Sequence, residues 1–237
     1  MTSLALRLAG PLQSWGASSR FVRRGTEAWP TKSAVVGLLA AAMGRRRTDP
    51  IEDLLGLRFG VRVDQPGELL RDFQTALPRD GSKPMPLSYR YYLSDAAFLA
   101  VVEGGRELIE GIDAALRAPA FPLYLGRRSC PPAGRYLLGT RELGLFDVLR
   151  SEPWLASKHH RARSGAGPVR LDVVVDADVV PAEHAEQQVS LTARDAPISF
   201  DPELREYGWR RLVRTHVTLE REGGAAGRHD PMAIVGG

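Results

Sequence analysis

Two hydrophobic periodicities that alternate over residues 4–117 constrain the fold of this chain more than any other feature. Leu4, Leu6 and Leu8 recur at every second position, which is typical of a β-strand with one buried face. The run over 33–44 is apolar nearly all round, which predicts a deeply buried helix. The same reasoning predicts a strand at 58–64, a strand-like pair at 69–76 and 87–104, and a helix at 105–119.

The resulting order is strand, helix, strand, strand, helix, with a fourth strand expected later, which is the order of a ferredoxin-like or RNA-recognition-motif fold. The segment "LPRDGSKPMP" joins the strand-like pair and is rich in Gly, Pro and charge, which predicts a protruding hairpin at about 75–92. We therefore expect an α+β protein. Its predicted parts are a ferredoxin-like domain over 1–120, a smaller C-terminal β-rich region with its own sheet over 121–221, and a loose tail over 222–237.

The positive charge of the chain is carried almost entirely by arginine. There are 32 Lys plus Arg residues against 28 Asp plus Glu, a formal net charge of +4, and lysine occurs only at positions 32, 83 and 158. Guanidinium groups bind phosphate through two parallel hydrogen bonds and stack on bases, which favours a nucleic-acid partner. A codon usage that favours arginine explains the same composition equally well.

Cysteine content and hydropathy exclude several classes of protein. Cys130 is the only cysteine, so neither an internal disulfide nor a four-cysteine metal site is possible, and a reducing cytoplasm is the expected location. The longest apolar run falls well short of the roughly 20 residues that cross a bilayer. We expect no membrane association.

The segment "PLYLGRRSCPPAG" places adjacent cations on a constrained turn. Arg127 and Arg128 follow Gly126 and precede Pro131 and Pro132, so their backbone should be held while both guanidinium groups point outward. Such a turn fits the binding of backbone phosphates. Surface ion pairs on a solvated basic turn are the alternative.

Thr31, Lys32 and Ser33 stand at the predicted start of the first helix. Free backbone N–H groups and the helix dipole attract anions at such a position, so a phosphate is one prediction and simple capping without a ligand is the other. The glycines of a nucleotide-binding P-loop are missing around Lys32, which argues against an NTPase.

Aromatic residues lie beside polar donors in two segments, at Trp15 in "LQSWG" and at Tyr89, Tyr91 and Tyr92 in "SYRYYL". Proteins that bind single strands stack bases on such side chains. Alternating aromatic residues in a strand also pack into cores, so some of these tyrosines should be buried.

The polar segment "SKHHRARSGAGPVR" has no apolar pattern and is predicted to be flexible. His159 and His160 are adjacent and so are not expected to face one site, and no ligand at metal spacing accompanies them. A histidine with Lys158 would suit metal-independent RNA cleavage, whereas a solvated loop explains the same residues without any chemistry.

Five separated blocks of the sequence occur in one order: "RLAGPLQSWG", "PTKSAVVGLLAAAMG", "DFQTAL" followed by "YRYYLSDAAF", "PLYLGRRSCPP" and "LTARDAPISF". Together they resemble the CasD family, the fifth Cas family of the RAMP superfamily, whose members are subunits of type I-E CRISPR Cascade surveillance complexes.

The resemblance implies a modified RNA-recognition-motif domain with a hairpin thumb. It implies a non-catalytic role without a cofactor at the end of the complex, where the subunit holds the 5′ handle of the guide crRNA. The implied partners are this crRNA, the backbone and large subunits, and target DNA near the end of the complex. Some relatives in another subtype cleave repeat RNA with a Tyr, Lys and His set, so a metal-independent endoribonuclease is the alternative function.

On this resemblance we expect phosphates at the start of the first helix and at the turn that carries Arg127 and Arg128, which we call the arginine turn. We also expect base contacts from Gln13 and Trp15, and further contacts at the base of the hairpin. The predicted RNA-binding residues are Gln13, Trp15, Arg20, Arg23, Arg24, Thr31, Lys32, Ser33, Arg90, Tyr91, Arg127, Arg128 and Ser129.

Overall fold

The computed structural model describes residues 1–16, 23–165, 167–181 and 188–220. The strands are β1 (Thr2–Ala9), β2 (Leu12–Gln13), β3 (Arg23–Arg24), β4 (Arg58–Gln65), β5 (Glu68–Gln74), β6 (Ser88–Ser94), β7 (Ala97–Gly104), β8 (Leu137–Arg141), β9 (Val169–Asp176), β10 (Val189–Ser199) and β11 (Glu206–Leu219). The helices are α1 (Lys32–Ala42), α2 (Glu52–Leu55), α3 (Arg106–Arg117), α4 (Leu145–Ser151) and α5 (Lys158–Arg163). No helix of these described residues is long and apolar enough to span a membrane.

The larger sheet has seven strands in the order β10-β11-β9-β4-β7-β1-β8, and all neighbours are antiparallel. Helices α1 and α3 cover one face, where Leu39 and Ile109 pack against strand residues such as Phe98. Helix α4 covers the other face, where Leu145 packs near Leu99. Because both faces are covered, the interior strand β7 is a nearly continuous apolar run.

A mixed fold with a mostly antiparallel sheet agrees with the predicted α+β class. The prediction of a separate C-terminal sheet is wrong, because β9, β10 and β11 extend the larger sheet. Strand β9 pairs with β4 at Gly60↔Val175, and it covers backbone groups that would otherwise leave β4 as an open edge. The predicted boundary at residue 121 therefore does not separate two sheets, and the predicted loose tail lies outside the described residues.

The predicted hairpin is present and belongs to a smaller sheet of β2, β3, β5 and β6. Strands β5 and β6 pair from Glu68↔Ser94 to Gln74↔Ser88, and β3 runs parallel to β6 on its other side. The periodicity predicted one continuous returning segment at 87–104, but the structure divides it into two strands, β6 and β7. Asp95 adopts a φ of 54°, and there the chain leaves β6 in the smaller sheet and enters β7 in the larger one.

The segment after α4 was predicted to be flexible, but residues 158–163 form a short helix. Ser157 caps α5 by accepting a hydrogen bond from the backbone N–H of His160 at 3.2 Å. Just before the cap, the indole of Trp154 donates to the carbonyl of Asp64 at 2.8 Å, and the backbone N–H of Leu155 donates to the Asp64 carboxylate at 2.5 Å. These anchors are far away in sequence, so local patterning did not reveal them.

Candidate nucleic-acid interface

The arginine turn is held by backbone contacts on both sides. Gly126 has a φ of +83°, and a side chain there would place its Cβ 1.8 Å from the carbonyl oxygen of Ser14. Leu125 donates its backbone N–H to the carbonyl of Cys130 at 2.6 Å, and Cys130 donates to the carbonyl of Arg127 at 2.9 Å. Burial raises the pKa of the Cys130 thiol, which disfavours the nucleophilic thiolate. The structure agrees with the predicted constraint on this turn.

Arg127 does not point outward, so that part of the prediction is wrong for the isolated chain. Its guanidinium donates to the carbonyls of Tyr91 at 3.2 Å and Arg24 at 2.8 Å, and reaches Gly25 at 3.4 Å. It also lies 4.7 Å from the ring centroid of Tyr92, a cation–π distance. Arg127 therefore joins the turn to β6 and to the end of β3.

Arg128 is the exposed cation of the turn, as predicted. Its side chain makes no salt bridge within the described ranges, and Ser129 beside it is also exposed. The hydroxyl of Ser129 lies 3.8 Å from the sulfur of Cys130. The turn thus offers one guanidinium group to a ligand and uses the other for its own structure.

Strands β3 and β6 bring more arginines to the same place. Arg23 and Arg24 are exposed and lie in register with Tyr89 and Arg90, respectively. The Nε of Arg90 is buried and has no hydrogen-bond partner in the part of the chain that the structure describes. An unsatisfied buried donor is costly, but this nitrogen is too enclosed for a ligand to reach it in this structure.

We call this region the arginine surface, and it consists of Arg23, Arg24, Arg90 and Arg128, together with Tyr89 and Tyr91, which alternate with Arg90 along β6 and therefore lie on its opposite face. Half-buried Tyr91 and the exposed cations are positions at which we predicted RNA contacts, and those contacts stay predictions. Tyr89 was a candidate for stacking in the sequence analysis but is absent from the predicted RNA-binding residues, and so is Arg71, whose guanidinium lies 5.5 Å from the Tyr89 ring centroid. The sequence could have indicated Arg71, because this residue lies on the outgoing strand of the predicted hairpin.

The predicted phosphate site at Thr31, Lys32 and Ser33 is not available in this structure. Thr31 and Ser33 are buried, and the backbone N–H of Lys32 donates to the carboxylate of Asp195 at 2.8 Å. The ammonium of Lys32 forms a salt bridge with Asp176 at 3.2 Å. The helix start does attract an anion, as the dipole argument requires, but that anion is a side chain of β10.

The charges around Lys32 are also compensated. Arg210 forms salt bridges with Asp176 at 2.5 Å and with Asp195 at 2.6 Å. Lys32 and Arg210 contribute one positive charge each, and the two aspartates one negative charge each, so the four groups sum to zero. No excess positive charge is left there to bind a phosphate.

The prediction that Gln13 and Trp15 contact bases is wrong for this structure, because both side chains are 0% exposed. The amide of Gln13 donates to the carbonyls of Ala96 at 2.7 Å and Leu8 at 3.3 Å, and the indole of Trp15 donates to the Gln13 side chain at 3.2 Å. Their polar atoms are therefore already bonded. The predicted contact from Arg20 lies outside the described residues and stays a prediction.

His159 is exposed, whereas His160 is half-buried and packs edge-on to Trp154 with ring centroids 5.9 Å apart. Both histidines line one cleft, but the ring of His160 packs on Trp154 while His159 is exposed, so no contact brings the two imidazoles to a single site in the described residues.

Comparison with known proteins agrees with the sequence blocks. Residues 3–213 match the family described as CRISPR-associated protein (Cas_Cas5). The Cascade subunit CasD of Escherichia coli (strain K12) is 31% identical over 218 residues, which cover 82% of this chain and 88% of that protein.

Two solved structures are also similar. One, described as a CRISPR RNA-guided surveillance complex, has a chain that matches with a TM-score of 0.72 at 32% identity, and the match covers 91% of each chain. The other, described as a crystal structure of a Cas protein, matches with a TM-score of 0.63 at 36% identity, over 92% of this chain and 94% of that chain. These matches confirm the predicted resemblance, and the chain belongs to the CRISPR-associated Cas5 family.

Proposed function

We propose that this protein is a non-catalytic subunit of a type I-E CRISPR Cascade complex that binds the 5′ handle of the guide crRNA. Family membership and the names of the relatives support the assignment to such a complex. The observation that carries the RNA-binding role is the arginine surface, where cations from β3, β6 and the turn at Gly126 meet. A cytoplasmic location follows from this role.

The chemistry of the arginine surface suits a single RNA strand. Arg23, Arg24 and Arg128 are exposed guanidinium groups, which bind phosphate oxygens through paired hydrogen bonds. Tyr89 and Tyr91 are half-buried, so part of each ring is accessible for stacking on bases. Because the turn carrying Arg128 is held by backbone contacts, little conformational entropy is lost when it binds RNA.

The fold is consistent with this role. The element order β1, α1, β4, β7, α3, β8 and the strand order β4-β7-β1-β8 support a ferredoxin-like interpretation. We interpret this part of the chain as a modified RNA-recognition motif, with the β5–β6 hairpin as an insertion between its second and third strands.

The hairpin fits a contact with neighbouring subunits. Leu69 and Phe73 are each 66% exposed, and Leu77 is 75% exposed. Apolar side chains clustered on a protruding hairpin mark an interaction surface. The backbone and large subunits of the complex are the proposed partners, together with target DNA near the end of the complex.

Labelled RNA carrying the 5′ handle should bind the purified protein in a salt-dependent manner and should not be cut. If the arginine surface contacts three or four phosphates, a plot of log affinity against log salt should have a slope of about −2 to −3. Fluorescence anisotropy measures the binding, and gel analysis in EDTA measures cleavage. An affinity that does not change with salt concentration would refute the phosphate contacts. Cleavage of the labelled RNA in EDTA would refute the non-catalytic role.

A further inference from the structure

The hairpin strand β5 has one long edge that pairs with no strand in the described part of the chain. Its other edge pairs with β6 from Glu68↔Ser94 to Gln74↔Ser88, and no register shift interrupts the pairing. Six of the seven residues of β5 are exposed. The backbone N–H and C=O groups on the outer side of β5 are therefore open to another extended chain.

The two edges of the larger sheet are protected in ways that the edge of β5 is not. Strand β10 has two register shifts and contains Pro197, and Arg194 lies within the first shift. Strand β8 has only five residues, and its pairing with β1 also shifts. Bulges, prolines and short strands are common means of preventing edge-to-edge association. Strand β5 pairs in regular register over its whole length and contains no proline, glycine or lysine.

The side chains of β5 form two unlike rows, because alternate residues of a strand point to opposite faces of the sheet. One row consists of Leu69, Arg71 and Phe73, and the two apolar side chains are each 66% exposed. The guanidinium of Arg71 lies 5.5 Å from the centroid of the Tyr89 ring, so this cation is directed towards β6 and away from the open edge. This row therefore offers apolar contacts to a neighbouring strand.

The other row is acidic. It contains Glu68 and Asp72, with Leu70 between them. Neither carboxylate forms a salt bridge within the described ranges, although the Asp72 carboxylate accepts a hydrogen bond from the side chain of Gln74 at 3.1 Å. Residues directly opposite each other on paired strands lie on the same face and interact. A strand that pairs with β5 should therefore be apolar on one face and basic on the other.

A second copy of this chain does not meet that requirement. In a two-fold symmetric antiparallel pair, the same face of both β5 strands would lie on the same side of the sheet, so the acidic rows would be neighbours. Like charges opposite each other are destabilising. A nucleic acid does not meet the requirement either, because it has no peptide groups to complete the ladder and has the same charge as the acidic row.

We propose that the open edge of β5 binds an extended segment of a neighbouring protein subunit, which adds to the smaller sheet as a further strand. This inference rests on the proposed role as a subunit of a Cascade complex and defines how the hairpin makes its contact there. The incoming strand carries apolar side chains beside Leu69 and Phe73 and cationic side chains beside Glu68 and Asp72. Backbone hydrogen bonds supply the affinity, and the alternation of side chains sets the register.

Hydrogen–deuterium exchange tests the added strand, because exchange rates report the protection of backbone amides. The free full-length protein is compared with the same protein in the complex assembled with its other subunits and crRNA. The outward-facing amides of residues 68–74 should exchange at least about tenfold more slowly in the complex. Equal exchange in the two states would overturn the strand addition and leave the subunit role intact.

Two other results of this experiment are also decisive. If these amides are already protected in the free protein, and light scattering gives the mass of a dimer, the edge binds a second copy and the proposal is overturned. If the protein does not assemble with the other subunits at all, the proposed function is refuted and the strand addition with it.

Charge reversal tests the acidic row separately. The variant Glu68→Lys/Asp72→Lys and an isotopically labelled parent protein compete for incorporation into the complex, and mass spectrometry of the purified complex gives their ratio. The variant should be incorporated about tenfold less than the parent, because its lysines face basic side chains. Glu203→Lys/Glu220→Lys makes the same change in net charge at exposed positions outside the hairpin and is the matched control. Equal incorporation of the two variants would contradict a partner strand with a basic face.

Discussion

Simultaneous replacement of Arg23, Arg24 and Arg128 by alanine is expected to lower the affinity for handle RNA about a hundredfold. Each guanidinium is exposed and without a salt bridge in the described residues, so each is available for a phosphate. Three lost contacts of about 1 kcal/mol each give an effect of this size. The free energy of unfolding should stay within about 0.5 kcal/mol of the parent value, because surface substitutions of this kind rarely affect folding.

The control for this experiment is Arg46→Ala/Arg47→Ala/Arg205→Ala, which changes the net charge equally at exposed positions outside the arginine surface. Because long-range attraction of RNA depends on net charge, the control should lose only a small part of the affinity. Anisotropy titration with handle RNA measures both variants. Equal losses in the two triple variants would show that RNA binding depends on total charge and not on this surface.

Arg127→Ala is expected to act mainly through stability and to lower the free energy of unfolding by about 2–3 kcal/mol. Its guanidinium donates hydrogen bonds to the carbonyls of Tyr91 and Arg24 and stacks on the ring of Tyr92. The Arg24 carbonyl then loses this charged donor, the Tyr91 carbonyl keeps only the Ser14 hydroxyl at 3.1 Å, and the cation–π contact is lost as well. Urea denaturation followed by circular dichroism measures the effect.

Arg128→Ala is the matched control for Arg127→Ala, since it removes the neighbouring cation of the same turn. It should leave the urea midpoint unchanged while weakening RNA binding. If the two single variants have the same stability, Arg127 does not hold the turn against β6. A double Arg127 and Arg128 variant would combine a folding defect with a binding defect, so only the single variants distinguish the two roles.

Elements with strong local patterning were predictable from sequence. The alternating leucines of β1 and the apolar run of α1 predicted elements that the structure places at Thr2–Ala9 and Lys32–Ala42. The amphipathic spacing of α3 was equally clear, and the Gly- and Pro-rich segment identified the hairpin. In these cases the periodicity of one short segment contains the whole signal.

Features that depend on distant partners were not predictable. The sequence of β9 predicts a strand. Nothing in that sequence shows that the strand pairs with β4 in the larger sheet, where we had predicted a separate C-terminal sheet. Helix α5 has no apolar face, and its position depends on contacts of Trp154 and Leu155 with Asp64, about 90 residues earlier. The break at Asp95 depends on a single backbone angle.

The candidate site shows the same contrast between features with a local sequence pattern and features that depend on distant residues. The sequence identifies arginines as candidate phosphate ligands, and that role stays a prediction, but the partners that neutralise or bury a cation lie far away in sequence. Asp195, which occupies the start of α1, is 163 residues from Lys32. Gln13 and Trp15 bond to each other and to strand ends in the core, which no local motif indicates.

Photo-crosslinking tests the central claim most directly. Handle RNA that carries a photoreactive base analogue is bound to the protein and irradiated, and the crosslinked peptides are identified by mass spectrometry. The arginine surface predicts crosslinks in peptides that contain residues 23–25, 88–91 and 127–129. Crosslinks confined to other peptides, with none of these three segments labelled, would contradict it.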